Sequence, residues 1–498
     1  MEHWLQIAVL APLAGAVGVL CLPGRGRAVA MVASGACLVA TVAVALGFDL
    51  TLPGYQFVSD WQTLPEAGLT LHFGVDGVAL PLLGLTGLVG FLAVLVSDVG
   101  ERHREYYFYL LMGIAAAMGA FASINLFFFY FFAELATIPK YLLVGIWGRG
   151  LNDNAERSAA KRAALQLTLY ITAGALVVLV VLIALYVLAG RQFDLLTMRQ
   201  ALSGQALSAT LQTCLFGALL LGFGIWASMW PFYGWVPATY AAAPTAANML
   251  FAGVLKNLGA YGIIRVGLTL LPDGARALAE PLCVVAIINI LYGGVLALRQ
   301  KTWRELISFS SISHAGYLFL AIATGSALGL SAAVLFMFVH GLLLSLLFLL
   351  EGQIFAVTGQ REIAGNSGLA HTMPFVAVCM VAACMAASGM AGFGNFVSEI
   401  MVFMAAWRAA PMVFAAAAIA GVGGVVITSM YFVRGLRQTF YGPKGHIGAA
   451  ASLPVKLSCA ALLAVLLATG FSPQWLVSPI QRSVALLVGS DGTLPTSP

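Results

Sequence analysis

The chain has 498 residues, of which 61% are hydrophobic and only 9% are charged, with a net charge of +5 and an isoelectric point near 8.8. Soluble domains carry about 25% charged residues. This composition therefore excludes a soluble domain and predicts an all-α polytopic membrane protein.

Candidate membrane spans fill most of the chain. A helix needs about 20 apolar residues to cross a bilayer. The first candidate follows Met1, Glu2 and His3 directly and has neither a basic leader nor a clear cleavage site, so we interpret it as a retained helix and not as a signal peptide. The fourteen predicted spans are 4–22, 28–48, 77–97, 106–123, 124–148, 163–189, 209–230, 246–268, 277–298, 305–323, 328–350, 373–403, 411–433 and 455–474.

Lys and Arg residues are distributed unequally between the predicted loops. With both termini outside, sixteen of them fall in inside loops, Arg149 and Lys444 among these, and six fall in outside loops. Cytoplasmic loops carry such an excess. The bias predicts a multi-pass protein of the cell inner membrane with both termini outside. It also explains the basic isoelectric point, so no nucleic-acid partner is predicted. The acidic segment 49–76 is predicted to be an outside loop.

Two predicted spans are interrupted. The seventh span runs into 230–244, which holds three prolines, and the twelfth contains 388–395, which holds three glycines. Broken helices are tolerated at membrane depth only inside protein or beside a water-filled cavity, and paired interruptions are typical of ion pathways. The interrupting residues are Pro231, Pro237, Pro244, Gly389, Gly392 and Gly394.

The spacing of the interruptions predicts the organisation of the chain. They lie five spans apart, so we expect two five-helix units, and the odd number implies that the units are inverted relative to each other. The predicted units are 1–105 with three helices and an outside loop, 106–268, 277–433, and 434–498 with the last helix and a tail.

Ionisable side chains inside the spans are few. A charge at the bilayer centre costs roughly 3 kcal/mol on insertion scales, so such residues usually face a partner or a water path. Taken singly, the lysines could snorkel and the histidines could be ordinary hydrogen-bonded core residues. Together they favour a proton relay. The candidates are Glu134, Lys140, Lys256, His340 and Glu399, with Arg304, His314 and Glu351 nearer the span ends.

Redox and nucleotide motifs are absent from the sequence. The seven cysteines form no CxxC pair and indicate neither a disulfide framework nor an iron–sulfur site, and there is no GxGxxG, Walker or HExxH motif. We therefore expect no cofactor in this chain. Any electron transfer linked to it is expected in other subunits.

Five ordered segments resemble the antiporter-like membrane subunits of respiratory complex I, above all the chain M type, and the related Mrp cation/proton antiporters. The same module occurs in membrane-bound hydrogenases, so the resemblance identifies the superfamily better than the individual complex. The segments are HFGVDGVALPL (72–82), NLFFFYFFAELATIPKY (125–141), WPFYGWVPATYAAAPTAANMLFAGVLKNLGAYGIIR (230–265), RELISFSSISHAGY (304–317) and GMAGFGNFVSEIMVF (389–403).

The resemblance implies a fold and a set of roles. It implies fourteen helices, two inverted five-helix repeats and broken seventh and twelfth helices. Glu134 matches the fifth-helix glutamate that pairs with a seventh-helix lysine, and Glu399 matches the twelfth-helix glutamate on the exit side. His314, His340 and Arg304 match positions of the tenth and eleventh helices. The implied partners are other membrane-arm subunits that hold NADH, flavin, iron–sulfur clusters and quinone, together with the lipid bilayer and protons, sodium being the alternative ion.

The departures from the family pattern concern the central residues. Trp226 occupies the seventh-helix lysine position, and the eighth-helix lysine position falls on Asn257, one residue after Lys256. Lys140 replaces a residue that is usually apolar. The family's P-D-A-H reads PATY at 237–240, and Gln166 stands where a sixth-helix lysine is usual.

These departures leave two candidates for the partner of Glu134. On a regular helix Lys140 lies about 9 Å along the axis and on a different face, so we expect Lys256 to be the better partner. The functional alternatives are a proton-translocating subunit, a non-pumping structural subunit that has lost its central lysine to Trp226, a subunit of a membrane-bound hydrogenase, and an Mrp-type antiporter.

Overall fold

The structure is a computed structural model and describes residues 3–22, 24–64, 66, 68–148, 154–205, 207–443 and 449–488. Four parts of the sequence-based interpretation lie outside the described residues. These are the first two residues, Arg149, Lys444 and the end of the predicted tail at 489–498.

Thirteen helices of the described chain are long and apolar enough to cross a membrane, and a fourteenth span consists of two shorter helices. The predicted count of about fourteen is confirmed. Spans 1 to 14 are Trp4–Cys21, Gly26–Gly47, Ala79–Val96, His103–Ala122, Leu126–Trp147, Asn154–Leu188, Ala209–Trp226, Thr245–Leu268, Ala279–Arg299, Trp303–Ala323, Ala327–Thr358, the pair Pro374–Ala387 and Gly394–Arg408, Val413–Phe440 and Leu453–Phe471.

The segments between the spans contain structure that the hydropathy pattern does not reveal. The acidic segment between spans 2 and 3 forms an antiparallel hairpin of two strands, Gln56–Leu64 and Leu69–Val75. The predicted tail begins with a helix, Gln474–Ala485, which packs on span 11 through the rings of Trp475 and Phe338, 6.0 Å apart. The other short helices are Leu195–Ser203, Trp235–Ala242, Pro272–Ala277, Ile363–Gly365 and Leu369–Thr372.

Burial separates central spans from peripheral ones. The most apolar 18-residue stretches of spans 8 and 11 are entirely buried, whereas only 33% of the corresponding stretches of spans 13 and 14 are buried. A helix that is hydrophobic all round belongs in the interior, and a peripheral span exposes one side to lipid or to a neighbouring subunit. Lys256 and His340 lie on the two central spans, so protein surrounds both side chains.

Both predicted breaks are present. Span 7 ends at Trp226 and the chain resumes helical structure at Trp235–Ala242, while span 12 is interrupted between Ala387 and Gly394. The breaks lie five spans apart in two inverted five-helix repeats, as predicted. The boundaries at 106–268 and 277–433 stay predictions.

Candidate functional site

Span 5 carries Glu134 and Lys140 on two separate helices. The first helix ends at Leu135 and the second begins at Thr137. Pro139 lacks the N–H that would bond the Leu135 carbonyl, which weakens the helix at this point. The assumption of one regular helix was therefore wrong, and the placement of Lys140 on a different face from Glu134 stays a prediction.

Glu134 is half-buried and its Oε1 atom has no hydrogen-bond partner. Lys140 is the cation whose charge acts on this carboxyl group. Lys256 does not bond to Glu134, because its ammonium group is directed to span 10 instead. Neither lysine forms a hydrogen bond or an ion pair with Glu134 in the described part of the chain, and the expectation that Lys256 is the better partner stays a prediction.

A small cavity of about 10 Å³ lies between spans 5, 6, 7 and 8. This volume corresponds to about one water molecule. Lys140, Lys256 and Trp226 line it, together with apolar side chains. The two lysine side chains are only 7% and 8% exposed. The cavity therefore brings together two of the predicted proton-path residues and the tryptophan that replaces the expected lysine.

Span 8 presents Lys256 through an irregular stretch of helix. Residues Phe251–Leu255 form a π-helical segment, and the Lys256 N–H bonds to the Phe251 carbonyl, five residues back. The regular 100° step used to compare Lys256 with Asn257 does not apply to such a segment. Asn257 points elsewhere and donates to the Met337 carbonyl of span 11 at 3.1 Å. Lys256 is the residue that reaches the cavity.

The Lys256 ammonium group connects the cavity to span 10. Nζ donates to the Ser311 carbonyl at 2.9 Å and to Ser311 Oγ at 2.6 Å. An ammonium group has three N–H donors. Two of them are directed to span 10. Ser311 was not singled out from the sequence, where it is one of four serines in the segment SFSSIS.

His314 can be satisfied in two protonation states. Nδ1 lies 2.7 Å from the Ser310 carbonyl and 3.2 Å from Ser310 Oγ, and Nε2 lies 3.1 Å from the Ala387 carbonyl. A neutral ring donates from Nε2 and accepts the Ser310 hydroxyl proton at Nδ1. A protonated ring donates from both nitrogens, since carbonyl oxygens only accept. The side chain thus gains or loses a proton without moving.

His340 stacks on His314 with ring centroids 4.8 Å apart and an interplanar angle of 23°. Both of its ring nitrogens are buried without a hydrogen-bond partner in the described part of the chain. A buried unpaired imidazole is costly. It is usually paired with an ordered water or serves a function. The arrangement fits a histidine that exchanges protons and disfavours an inert core residue.

Glu399 lies beside the span 12 break and is 3% exposed. Its carboxyl group rests against Gly389, which has φ +64°, and a Cβ atom at Gly389 would overlap Oε2. The nearby Asn395 is fully buried, and neither atom of its side-chain amide has a partner among the described residues. Asn395 is a second polar group that the sequence did not flag.

Arg304 is the most extensively bonded of the predicted residues. Its Nε donates to Glu351 Oε2 at 2.8 Å in a buried ion pair. Nη1 donates to the carbonyls of Tyr240, Ala241 and Ala243 at 3.1, 3.1 and 2.6 Å. The guanidinium group therefore caps the helix that follows the span 7 break. This geometry favours a positioning role for Arg304 over the predicted proton-carrying role.

The six predicted break residues occupy different places in the two breaks. Pro231 lies in the turn after span 7, Pro237 in the first turn of Trp235–Ala242, where no helical bond is lost, and Pro244 precedes span 8. Gly389 and Gly392 have φ +64° and +101°, a region that glycine enters at no steric cost. Gly394 begins the second helix of span 12.

The N-terminal end of span 5 is fixed by polar contacts beyond the membrane-spanning segment. Asn125 caps the span by accepting from the Phe127 N–H at 3.1 Å, and Asp194 forms an ion pair with His72 at 2.8 Å. Burial raises the pKa of Asp194, but hydrogen bonds from His72 and Thr197 outweigh burial, so the pKa lies below its ordinary value. These contacts tie the hairpin to the start of the span that carries Glu134.

Comparison with known proteins places this architecture in a family. Residues 123–428 match the family described as NADH:quinone oxidoreductase/Mrp antiporter, TM. The NAD(P)H-quinone oxidoreductase chain 4 of Gloeobacter violaceus is 31% identical over 455 residues, which cover 90% of this chain and 84% of that protein. The NADH-quinone oxidoreductase subunit M of Escherichia coli K12 is 30% identical over 440 residues, 86% of this chain and 85% of that protein.

Solved structures agree with the sequence relatives. A chain of respiratory complex I from Thermus thermophilus with bound NADH superposes with a TM-score of 0.86 and 25% identity, covering 98% of this chain and 100% of that chain. The Mrp complex from Dietzia sp. DQ12-45-1b gives a TM-score of 0.85 at 22% identity, covering 97% of each chain, and supports the fold. The protein is thus a multi-pass member of the transmembrane family shared by NADH:quinone oxidoreductases and Mrp antiporters.

Proposed function

We propose that this chain is a membrane-arm subunit of a complex I-like NADH:quinone oxidoreductase and that it carries protons through its line of buried ionisable side chains. The observation that carries the proposal is the Lys256 ammonium group, which lines the cavity shared with Lys140 and also bonds Ser311 of span 10. One side chain thereby links the ionisable groups of the first half of the chain to those of the second half.

The relay has a definite order. A proton passes from the Glu134 and Lys140 region through the cavity to Lys256, and then by way of span 10 to His314 and His340. It continues past the span 12 break to Glu399. The double set of acceptors around His314 supports this path, because that ring is satisfied both with and without the additional proton. Arg304 takes no proton in this scheme and holds the helix after the span 7 break.

The redox chemistry is assigned to partner subunits. We expect NADH, flavin, iron–sulfur clusters and quinone to bind there, since the sequence of this chain contains no motif for them. This chain then supplies the proton path of an oxidoreductase without a redox site of its own. Protons are the proposed ion, and sodium is the alternative that a transport measurement distinguishes.

The test measures the ratio of translocated protons to electrons in inverted membrane vesicles that contain the assembled complex. Glu399→Gln and Lys256→Met are expected to lower this ratio while leaving NADH oxidation and assembly intact. Glu280→Gln serves as the matched control, because Glu280 is an exposed glutamate at the start of span 9. An unchanged ratio in both path variants overturns the proposal.

Co-purification identifies the complex to which the chain belongs. The tagged chain is expected to bring down an NADH-oxidising flavoprotein and iron–sulfur subunits. Recovery of a nickel hydrogenase subunit or of Mrp-type subunits would assign it to one of those assemblies instead.

A non-pumping structural role is the second candidate, and Trp226 motivates it. An indole carries no positive charge, and its N–H is already used in a bond of 3.1 Å to the Ile171 carbonyl. Under this alternative Glu134 has no switching partner, so Glu134→Gln leaves the proton-to-electron ratio unchanged. A fall in the ratio excludes it.

A further inference from the structure

Lys140 occupies an unusual position for a lysine. It lies in the first turn of the second helix of span 5, is 7% exposed, and its ammonium group makes no hydrogen bond to a described residue. Lysines buried at membrane depth normally extend to the interface or pair with an acceptor. The interruption of span 5 at Ala136 and Pro139 instead directs this side chain to the cavity that it shares with Lys256.

The chemistry of the cavity is restrictive. Lys140 and Lys256 are its only charged lining groups, and its remaining walls are apolar apart from the indoles. Two ammonium groups facing one small apolar cavity repel each other, so the state with a single positive charge is favoured. The cavity volume of about 10 Å³ suits one water molecule, which needs at least two polar partners. Lys140 and Lys256 are the lining residues whose side chains carry such polar groups.

Trp226 completes the arrangement without competing for the proton. Its ring forms part of the cavity wall, while its indole N–H is already used in the bond to the carbonyl of Ile171, which also lines the cavity. It therefore limits the space to about one water and adds no third charge. Trp226 stands where the family usually has a lysine. The cavity nevertheless has a second lysine, Lys140, which comes from span 5.

We propose that Lys140 and Lys256 pass a proton to each other through a single water molecule in this cavity, with Glu134 as the carboxyl group that controls the charge on Lys140. The Lys140 ammonium group gives a proton to the water as the water gives one to the Lys256 amine. Lys140 becomes neutral and Lys256 becomes charged, so proton number and charge are conserved. This step rests on the proposed function and specifies how the missing lysine of span 7 is replaced.

Substitutions of Lys140 distinguish proton transfer from a fixed charge. Lys140→Met is expected to lower the proton-to-electron ratio to the level of Glu134→Gln. Lys140→Arg is expected to lower it as well, because a guanidinium group keeps its proton at all relevant pH values. Full coupling in Lys140→Arg overturns the transfer step and assigns Lys140 a purely electrostatic or packing role.

Controls separate this step from general damage. Lys161→Met is the matched control, because Lys161 is an exposed lysine on span 6, and its ratio is expected to stay at the wild-type value. Assembly is checked on a native gel, and Lys140→Gln replaces Lys140→Met if the latter does not assemble. Normal coupling in every assembled variant that lacks the Lys140 amine overturns the proposal.

The outcome for Glu399→Gln separates the two levels of inference. If Glu399→Gln lowers the ratio and Lys140→Met does not, the proposed proton transfer between Lys140 and Lys256 is wrong and the proposed function stands. If neither changes it, and Glu134→Gln and Lys256→Met are also without effect, both fail. A map of the assembled complex that resolves ordered water adds a direct check. One water within hydrogen-bond distance of both Nζ atoms is expected, and its absence contradicts the route.

Discussion

The two broken spans occupy equivalent places in the two five-helix repeats, yet their breaks contain different chemistry. The span 7 break is closed by indole and amide groups. The indole N–H of Trp235 donates to the Ile225 carbonyl at 2.9 Å. The side-chain oxygen of Asn289 accepts from the backbone N–H of Trp230 at 2.8 Å. No side chain between Trp226 and Trp235, a stretch that the structure describes in full, is ionisable other than the phenol of Tyr233.

The span 12 break is built from glycines and holds a carboxyl group. Gly389 lies against Glu399, and the buried amide of Asn395 has no partner among the described residues. The contrast teaches that a broken helix and a proton-carrying group are separate features. The first break has no carboxyl or amine group, whereas the second lies against the carboxyl group of Glu399, which is the proposed proton carrier. The substitutions below test this division.

The largest effect is expected at the first break for Arg304→Leu. This change leaves Glu351 as a buried carboxylate without its guanidinium partner and leaves three carbonyl groups uncapped. Loss of one partner of a buried ion pair costs about 3–5 kcal/mol. We expect little assembled complex on native gels. The double variant Arg304→Leu/Glu351→Leu should recover part of it, and no recovery would indicate that the carbonyl contacts dominate.

Asn289→Leu should be the next most damaging change. Asn289 is fully buried and bonds the Trp230 N–H and the carbonyls of Ser228 and Ile312. Leaving such groups unpaired costs about 1–3 kcal/mol each before relaxation. The thermal unfolding midpoint of the purified complex should fall, with coupling preserved in the molecules that remain folded. Loss of coupling at unchanged stability would place the span 7 break in the proton path.

Gly389→Ala, at the second break, should lower coupling, whereas Asn289→Leu at the first break should lower only stability. The added Cβ overlaps Glu399 Oε2 and the residue has φ +64°. Left-handed backbone alone costs a non-glycine residue about 1–2 kcal/mol. Gly359→Ala is the matched control, because Gly359 has φ +66° and open space around it. Both variants should lose similar stability, but only Gly389→Ala should lower the proton-to-electron ratio. Equal ratios would separate Glu399 from the path.

Asp194→Asn should have the smallest effect and lies remote from both breaks. The pKa of Asp194 is lowered in the folded protein, so its contribution to stability is present above its ordinary pKa of about 3.9 and is lost as the pH falls through the lower folded value. The free energy of unfolding of the wild type should exceed that of the variant by no more than about 1 kcal/mol near neutral pH, and the difference should vanish in acid. Thermal unfolding between neutral and acidic pH measures it, and coupling should not change.

Much of the fold follows from the sequence because hydropathy and the Pro and Gly positions depend on local composition. The span count, the two breaks and their spacing were all predicted. The hairpin between spans 2 and 3 and the helix Gln474–Ala485 were not, because neither produces a long apolar stretch. The structure shows that the hairpin is held by tertiary contacts such as the His72–Asp194 ion pair.

The site was predictable as a list of residues but not as an arrangement. The interruption of span 5 at Ala136 was not predicted, although Pro139 is visible in the sequence. Ser311 and Asn289 were missed because serine and asparagine in an apolar run give no sign of their partners. The π-helical segment before Lys256 has no local sequence signature, so the direction of the Lys256 side chain could not be predicted from the sequence.

The Arg265–Asp76 ion pair has a consequence for how the protein is made. Span 8 carries two basic residues, Lys256 and Arg265, and on insertion scales each adds roughly 3 kcal/mol against entry into the bilayer. Arg265 is buried against Asp76, which also caps the first turn of span 3. Span 8 is thus not expected to move from the translocon into the bilayer as a single helix. It is expected to enter the bilayer together with span 3, which is already in place when span 8 emerges from the ribosome.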